Sequence, residues 1–154
     1  MSGKNTDRFI IAALCLITGF YAAKIPQRLT ITKTKSVKHR IFWSVKPDLK
    51  KLAYGKYIRA MVHLDLPKFK CDPCSIVKKV GCKAGDHLEE QGGGFRCNGT
   101  TICHVKEGKD PFKFNGVIPD GSVFLIGDSL DSYDSRYFGF IDEEDIDAFL
   151  IPIF

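Results

Sequence analysis

The sequence predicts a mainly β domain built on an antiparallel sheet and preceded by one N-terminal transmembrane helix. Three observations lead there. Residues 9–23 (FIIAALCLITGFYAA) carry no charge. After them, short runs rich in β-branched and aromatic residues alternate with Gly, Pro and Asn turns, which is the pattern of many short strands. The chain has 154 residues, enough for one domain and too few for several. Its 44% hydrophobic content excludes a disordered chain.

The apolar run comes first. A bilayer core needs about 20 apolar residues, so the run is short. Thr6 before it and Ile25-Pro26 after it extend it, with Lys24 snorkelling to the surface. The chain then divides into a cytoplasmic tail (1–8), a transmembrane signal anchor (9–25) and a globular domain (26–154). A cleaved signal peptide is the main rival, because its apolar region spans about 7–15 residues. Tyr21-Ala22-Ala23 argues against cleavage, since it places a bulky Tyr at the −3 position. A helix buried in a soluble core is the third reading.

Charge and cysteines disagree about orientation. The flank after the run carries Lys24, Arg28, Lys33, Lys35, Lys38 and Arg40, which the positive-inside rule would keep in the cytoplasm. Five of the six cysteines (Cys71, Cys74, Cys82, Cys97, Cys103) follow the run, with Cys15 inside it. That usage favours an oxidising compartment and structural disulfides, with one of the five left unpaired. Cys71-Asp72-Pro73-Cys74 also reads as a zinc half-site or a redox pair. Zinc would need a second pair at irregular spacing, and a thioredoxin-like motif should open a helix where a strand-like stretch follows instead.

Eight runs then read as strands: 29–32, 40–45, 57–66, 75–80, 93–97, 101–105, 122–127 and 149–154. Only the anchor and 142–146 look helical, and Asn98-Gly99 reads as a hairpin turn. Charge is split. Residues 1–100 are net +12 and residues 101–154 net −7. The basic residues are spread along the chain, so nucleic acid is not an expected partner. His39, His63, His87 and His104 show no metal spacing, and neither metal nor cofactor is expected.

Two segments could carry chemistry. In 75–80 (SIVKKV), strand alternation puts Ile76, Lys78 and Val80 on one face and Val77, Lys79 and Gly81 on the other. One lysine must share a face with apolar neighbours. Burial there disfavours its charged form, and a neutral lysine can act as a general base. The plainer reading leaves both lysines solvated at a wet strand edge. The second segment is GDSLDSYDSRYFG (127–139), a turn crowded with hydroxyls and carboxylates and closed by one arginine. Asp134 and Arg136 share a face if it is extended, and their ion pair would hold the loop in one shape.

GDSLDSYDSRYFG resembles the signature loop of the type I signal peptidases, the S26 serine proteases with a Ser–Lys dyad. KKVGCKAGDHL resembles their lysine box, usually KRVVGLPGD. FNGVIPDGSVFLIGDS between the two is also typical. In register, Lys78 matches the general base, Ser132 the serine that hydrogen-bonds it, and Asp134 and Arg136 the structural ion pair. The likeness covers about 28–154 and runs nearest to the short TraF-like branch of conjugative transfer systems. In that branch the nucleophile box reads roughly TPSLPRGLYW. Residues 34–43 fit it without a gap, placing Ser36 on the nucleophile and Thr34 on the hydroxyl that supports the oxyanion hole. Lys38 replaces a Pro and Arg40 a Gly, and Arg in place of a left-handed Gly would be costly. Ser129 stands where many relatives have Asn.

The resemblance implies a barrel-like β catalytic domain and a membrane-anchored serine endopeptidase. Ser36 Oγ would attack the scissile carbonyl, with Lys78 taking its proton. The partners implied are a precursor with a signal peptide, such as a pilin, and the lipid bilayer. The implied location is the inner membrane, single-pass, with the catalytic domain periplasmic. A working dyad needs Ser36 Oγ near hydrogen-bond reach of Lys78 Nζ. Strand alternation nominates Ile31, Val37, Ile76 and Val80 as pocket walls, and Phe42 and Trp43 as residues that dip into the interface. Two other readings stand beside this one: a catalytically impaired relative serving as a structural or assembly subunit, and a cysteine-based redox or zinc module.

Overall fold

The computed structural model describes the backbone of residues 3–24, 26–63 and 71–154, with side chains for 8–19, 27–63 and 71–154. Helix α1 (Gly3–Lys24) contains the apolar run. Phe9, Ile10, Ile11, Leu14, Leu16 and Ile17 are all more than half exposed, so this is not the buried helix of a soluble core. Among the described residues, no helix is long and apolar enough to cross a membrane.

Eleven strands follow among the described residues. They are β1 (Leu29–Ile31), β2 (Ile41–Val45), β3 (Tyr57–Val62), β4 (Cys74–Lys83), β5 (His87–Gln91), β6 (Gly94–Cys97), β7 (Thr100–His104), β8 (Asn115–Val117), β9 (Ser122–Ile126), β10 (Ile141–Asp142) and β11 (Ile146–Pro152). A one-turn helix, α2 (Ser135–Phe138), sits between β9 and β10. Each of the eight expected runs holds a strand; the 64–66 end of one, and Ile25, lie outside the described residues. β5, β8 and β10 were not legible. β5 is His-Leu-Glu-Glu-Gln and buries only Leu88, so it has no apolar periodicity to detect. The helix expected at 142–146 is a single 3-10 turn, Glu143–Asp145, leading into β11.

All strand pairings are antiparallel. Seven strands form one sheet in the order β1-β2-β11-β3-β4-β9-β10, and four form a second in the order β7-β6-β5-β8. Asn98 and Gly99 both take positive φ (48° and 79°), the backbone of the tight hairpin expected there. The main sheet buries Ile58, Ala60, Val80, Val123, Leu125 and Phe149. Leu88 and Phe95 of the second sheet, with Ile118 just after β8, pack against Phe124 of β9. A third cluster joins Val37, Phe42, Ala148 and Leu150.

Two disulfides form, Cys71–Cys74 and Cys82–Cys97, while Cys15 and Cys103 are free. Cys82–Cys97 ties β4 to β6 and so ties the two sheets together. Asp86 lies beside it within metal-ligand spacing, but the two sulfurs are bonded to each other and are not available as thiolates.

Several expectations change here. Phe42 is fully buried and cannot dip into an interface, whereas Trp43 is half-buried. Val37 and Val80 are core residues in two different clusters, and Ile31 is 67% exposed, so these residues with Ile76 do not wall one pocket.

Candidate active site

β4 carries the lysine. Its register sets Lys78 opposite Ile58 and Lys79 opposite Tyr57 of β3. Alternation turns Lys78 inward to 4% exposure, beside Val80 at 1%. Burial pushes the Lys78 ammonium down from its ordinary 10.5 to about 8; the Asp134 carboxylate opposes this and the Arg136 guanidinium adds to it. Lys78 Nζ donates to Ser132 Oγ at 2.7 Å. The wet-edge reading therefore fails for Lys78. It holds in part for Lys79, which faces the other way and pairs with Asp128 Oδ1.

β9 delivers the loop that receives this lysine. After Ile126 the chain turns through Gly127, whose backbone N–H donates to Asp134 Oδ2 at 2.7 Å. Asp134 and Arg136 are fully buried and form a two-point ion pair, Nε to Oδ1 at 2.8 Å and Nη2 to Oδ2 at 2.7 Å. The segment is helical where an extended one was expected. Asp134 caps α2, accepting from the Arg136 backbone N–H at 3.2 Å, and the helical turn swings the guanidinium back onto its partner. Arg136 also donates to the carbonyls of His104, Ser129 and Ser132 at 2.8, 2.8 and 3.3 Å. One cation thus fixes the carbonyls on both sides of Ser132's turn, and that fixes where the Ser132 hydroxyl points.

Ser36 lies in the loop between β1 and β2. Its carbonyl accepts from the Asp128 N–H at 2.8 Å, which docks the loop against the end of β9. A Cβ on Gly127 would stand 2.6 Å from that carbonyl oxygen and closer still to the Ser132 hydroxyl. Ser36 and Ser132 therefore crowd one point of the backbone that only glycine leaves free. The Ser36 hydroxyl pairs with Thr34 Oγ1 at 2.9 Å. Among the described residues no hydrogen bond joins Ser36 Oγ to Lys78 Nζ; each spends its bond on its own partner.

Asp128 was not singled out from the sequence. Its Oδ2 accepts from the Lys38 backbone N–H at 2.7 Å and from Tyr57 Oη at 2.9 Å, while Oδ1 meets Lys79. Burial would raise its carboxyl, but these three donors together hold it below the usual range. Tyr57 is pushed up to about 12 by burial and by that carboxylate. The three partners are 38, 57 and 79, too far apart in the chain for any local pattern to reveal them. The two departures in the nucleophile box, Lys38 and Arg40, have defined places in the structure. Among the described residues only Asn98 has positive φ without being glycine, so Arg40 sits in ordinary backbone. Lys38 supplies an N–H that proline lacks.

The family model described as signal peptidase, peptidase S26, matches residues 8–151. A solved structure similar to this chain is a signal peptidase I from Enterococcus faecalis V583, with 20% sequence identity, a TM-score of 0.48, and coverage of 68% of this chain and 100% of that one. A search of curated proteins finds no match.

Proposed function

Since this chain belongs to the signal peptidase family, peptidase S26, and is a serine-type signal peptidase, we propose that Ser36 is its nucleophile and Lys78 its general base. The observation that carries this is the buried Lys78, held by Ser132 and depressed to about 8, on a strand whose neighbouring loop grips Ser36. A lysine in that state is largely cationic at neutral pH and gains its lone pair with little rise in pH. The dyad requires the Ser36 hydroxyl to leave Thr34 for Lys78. Lys78 then takes the hydroxyl proton as Ser36 Oγ attacks the scissile carbonyl, gives it to the amine that leaves as the C–N bond breaks, and with its lone pair restored activates the acceptor that releases the acyl group. Thr34 and the Ser36 N–H would meet the developing oxyanion, a contribution of about 3 kcal/mol per donor in comparable sites. Asp134 and Arg136 act through the loop, as positioning residues.

The proposal extends to place and partner. The substrate is a membrane-held precursor with a signal peptide, of the pilin kind handled by the TraF-like branch. α1 anchors the chain at the inner membrane with the catalytic domain on the periplasmic side, a location supported by two disulfides. The sheet assists the short anchor. Leu29, Ile31, Ile41, Trp43 and Ile151 are paired across β1, β2 and β11 on one face, and Ile31 and Ile151 are more than half exposed. Ile31 and Ile41 stand at the two ends of the loop that carries Ser36, and the face would rest on lipid with that loop near the surface.

The test uses the full chain with a signal-peptide-bearing precursor. Ser36→Ala and Lys78→Ala should each fold and leave the precursor uncut. Normal processing by both variants would refute the dyad, and covalent labelling of Ser36 by an acylating serine inhibitor separates it from an inactive assembly subunit.

A further inference from the structure

The dyad leaves the Cys71–Cys74 disulfide without a task. Its cysteines are three positions apart, at the mouth of the β3–β4 pair. Cys71 is exposed. Cys74, the first residue of β4, is 3% exposed and belongs to the main core cluster. Cys74 lies opposite Val62, and the next residue, His63, holds Asp72 Oδ1 through Nδ1 at 2.6 Å. The other disulfide differs on every count. Cys82 and Cys97 are 0% and 6% exposed, are 15 positions apart, and bridge the two sheets.

We infer that Cys71–Cys74 is a thiol–disulfide exchange site, reduced by a dithiol that attacks the sulfur of the exposed residue Cys71, whereas Cys82–Cys97 is structural. Exchange requires a thiolate to approach one sulfur of the bond, and Cys71 is the one exposed residue among the four bonded cysteines. Opening so short a loop also releases little chain entropy compared with the wider Cys82–Cys97 loop. Cys74 stays in place after opening, because the β3 pairing and the apolar cluster around it hold the strand start without the sulfur bond.

The step balances with the dithiol as sole co-reactant. One dithiol thiolate attacks Cys71 Sγ, the Cys71–Cys74 bond breaks, and its electron pair leaves on Cys74, which takes a proton. The second dithiol sulfur attacks the first, releasing Cys71 as a thiol. The dithiol departs as an internal disulfide, having passed two electrons and two protons to the chain.

The test equilibrates the full chain in detergent, without denaturant, in graded mixtures of reduced and oxidised dithiothreitol, approached from both sides. Alkylation and peptide mapping then read each cysteine. Cys71 and Cys74 should become labelled together at a reduced-to-oxidised ratio at least tenfold lower than Cys82 and Cys97, with the far-ultraviolet dichroism unchanged. Glutathione should leave its adduct on Cys71. The C71S/C74S variant should lose this step and keep Cys82–Cys97. Reduction of both disulfides together, prior reduction of Cys82–Cys97, an adduct on Cys74, or failure of Cys71 and Cys74 to re-form their bond would each overturn the inference. No peptidase activity is read, so the outcome is independent of the dyad.

Discussion

Replacing Lys78 by methionine should abolish cleavage and at the same time stabilise the protein at neutral pH. The magnitude follows from burial. The ammonium is held at about 8 in the folded chain against an ordinary 10.5. At about 1.4 kcal/mol per unit, that difference opposes folding by about 3 kcal/mol at pH 7. The unfolded chain binds the extra proton between pH 8 and 10.5, so native stability rises across that window and the penalty is gone above it. Methionine has similar length and no charge, but it gives up the hydrogen bond to Ser132, about 1 kcal/mol. The net expectation is a gain of about 2 kcal/mol at pH 7 that shrinks to nearly nothing by pH 10. Denaturant unfolding of both proteins at the two pH values measures it. A variant that is less stable at pH 7, with a gap that does not move with pH, would refute the account of Lys78 as a desolvated base.

Two further outcomes follow from the same geometry. The neutral fraction of a lysine at about 8 rises from about one tenth at pH 7 to about nine tenths at pH 9. Precursor cleavage, as kcat/KM, should therefore climb about tenfold with a midpoint near 8, and a profile still rising tenfold per unit at pH 9.5 would count against it. If the β1-β2-β11 face meets lipid, Ile31→Glu combined with Ile151→Glu should weaken co-sedimentation of the full chain with anionic vesicles at least tenfold, because each apolar side chain withdrawn forfeits about 1.5–3 kcal/mol of burial. Unchanged sedimentation would remove the sheet face from the membrane contact.

How far the site could be read in advance depended on the range of the signal. Lys78 was accessible because strand alternation is local: two β-branched residues on its face imply its burial, and the fold provides it. Asp134 and Arg136 were paired for a local reason that proved wrong in detail, since a cap and a helical turn join them where an extended face was supposed. The Lys78–Ser132 bond spans 54 positions and was expected from family likeness alone. β5, β8 and β10 were invisible because their hydrogen bonds, and not their side chains, make them strands.

The nucleophile loop shows how a departure from a family pattern can be absorbed by a distant group. A proline at position 38 would have no N–H to give, and Asp128 Oδ2 would then keep only the tyrosine donor. With lysine there, the same carboxylate clasps the loop two residues after Ser36, while the Asp128 N–H clasps Ser36 itself. A rigid ring would have shaped that turn by fixing φ; here two hydrogen bonds to one residue fix it from outside. Because Asp128 also meets Tyr57 of β3 and Lys79 of β4, the loop is referenced to the two strands that set the position of Lys78. Ser36 and Lys78, the proposed nucleophile and base, are thus both referenced to one carboxylate, and Lys38 and Arg40 take their places in the loop without a left-handed backbone.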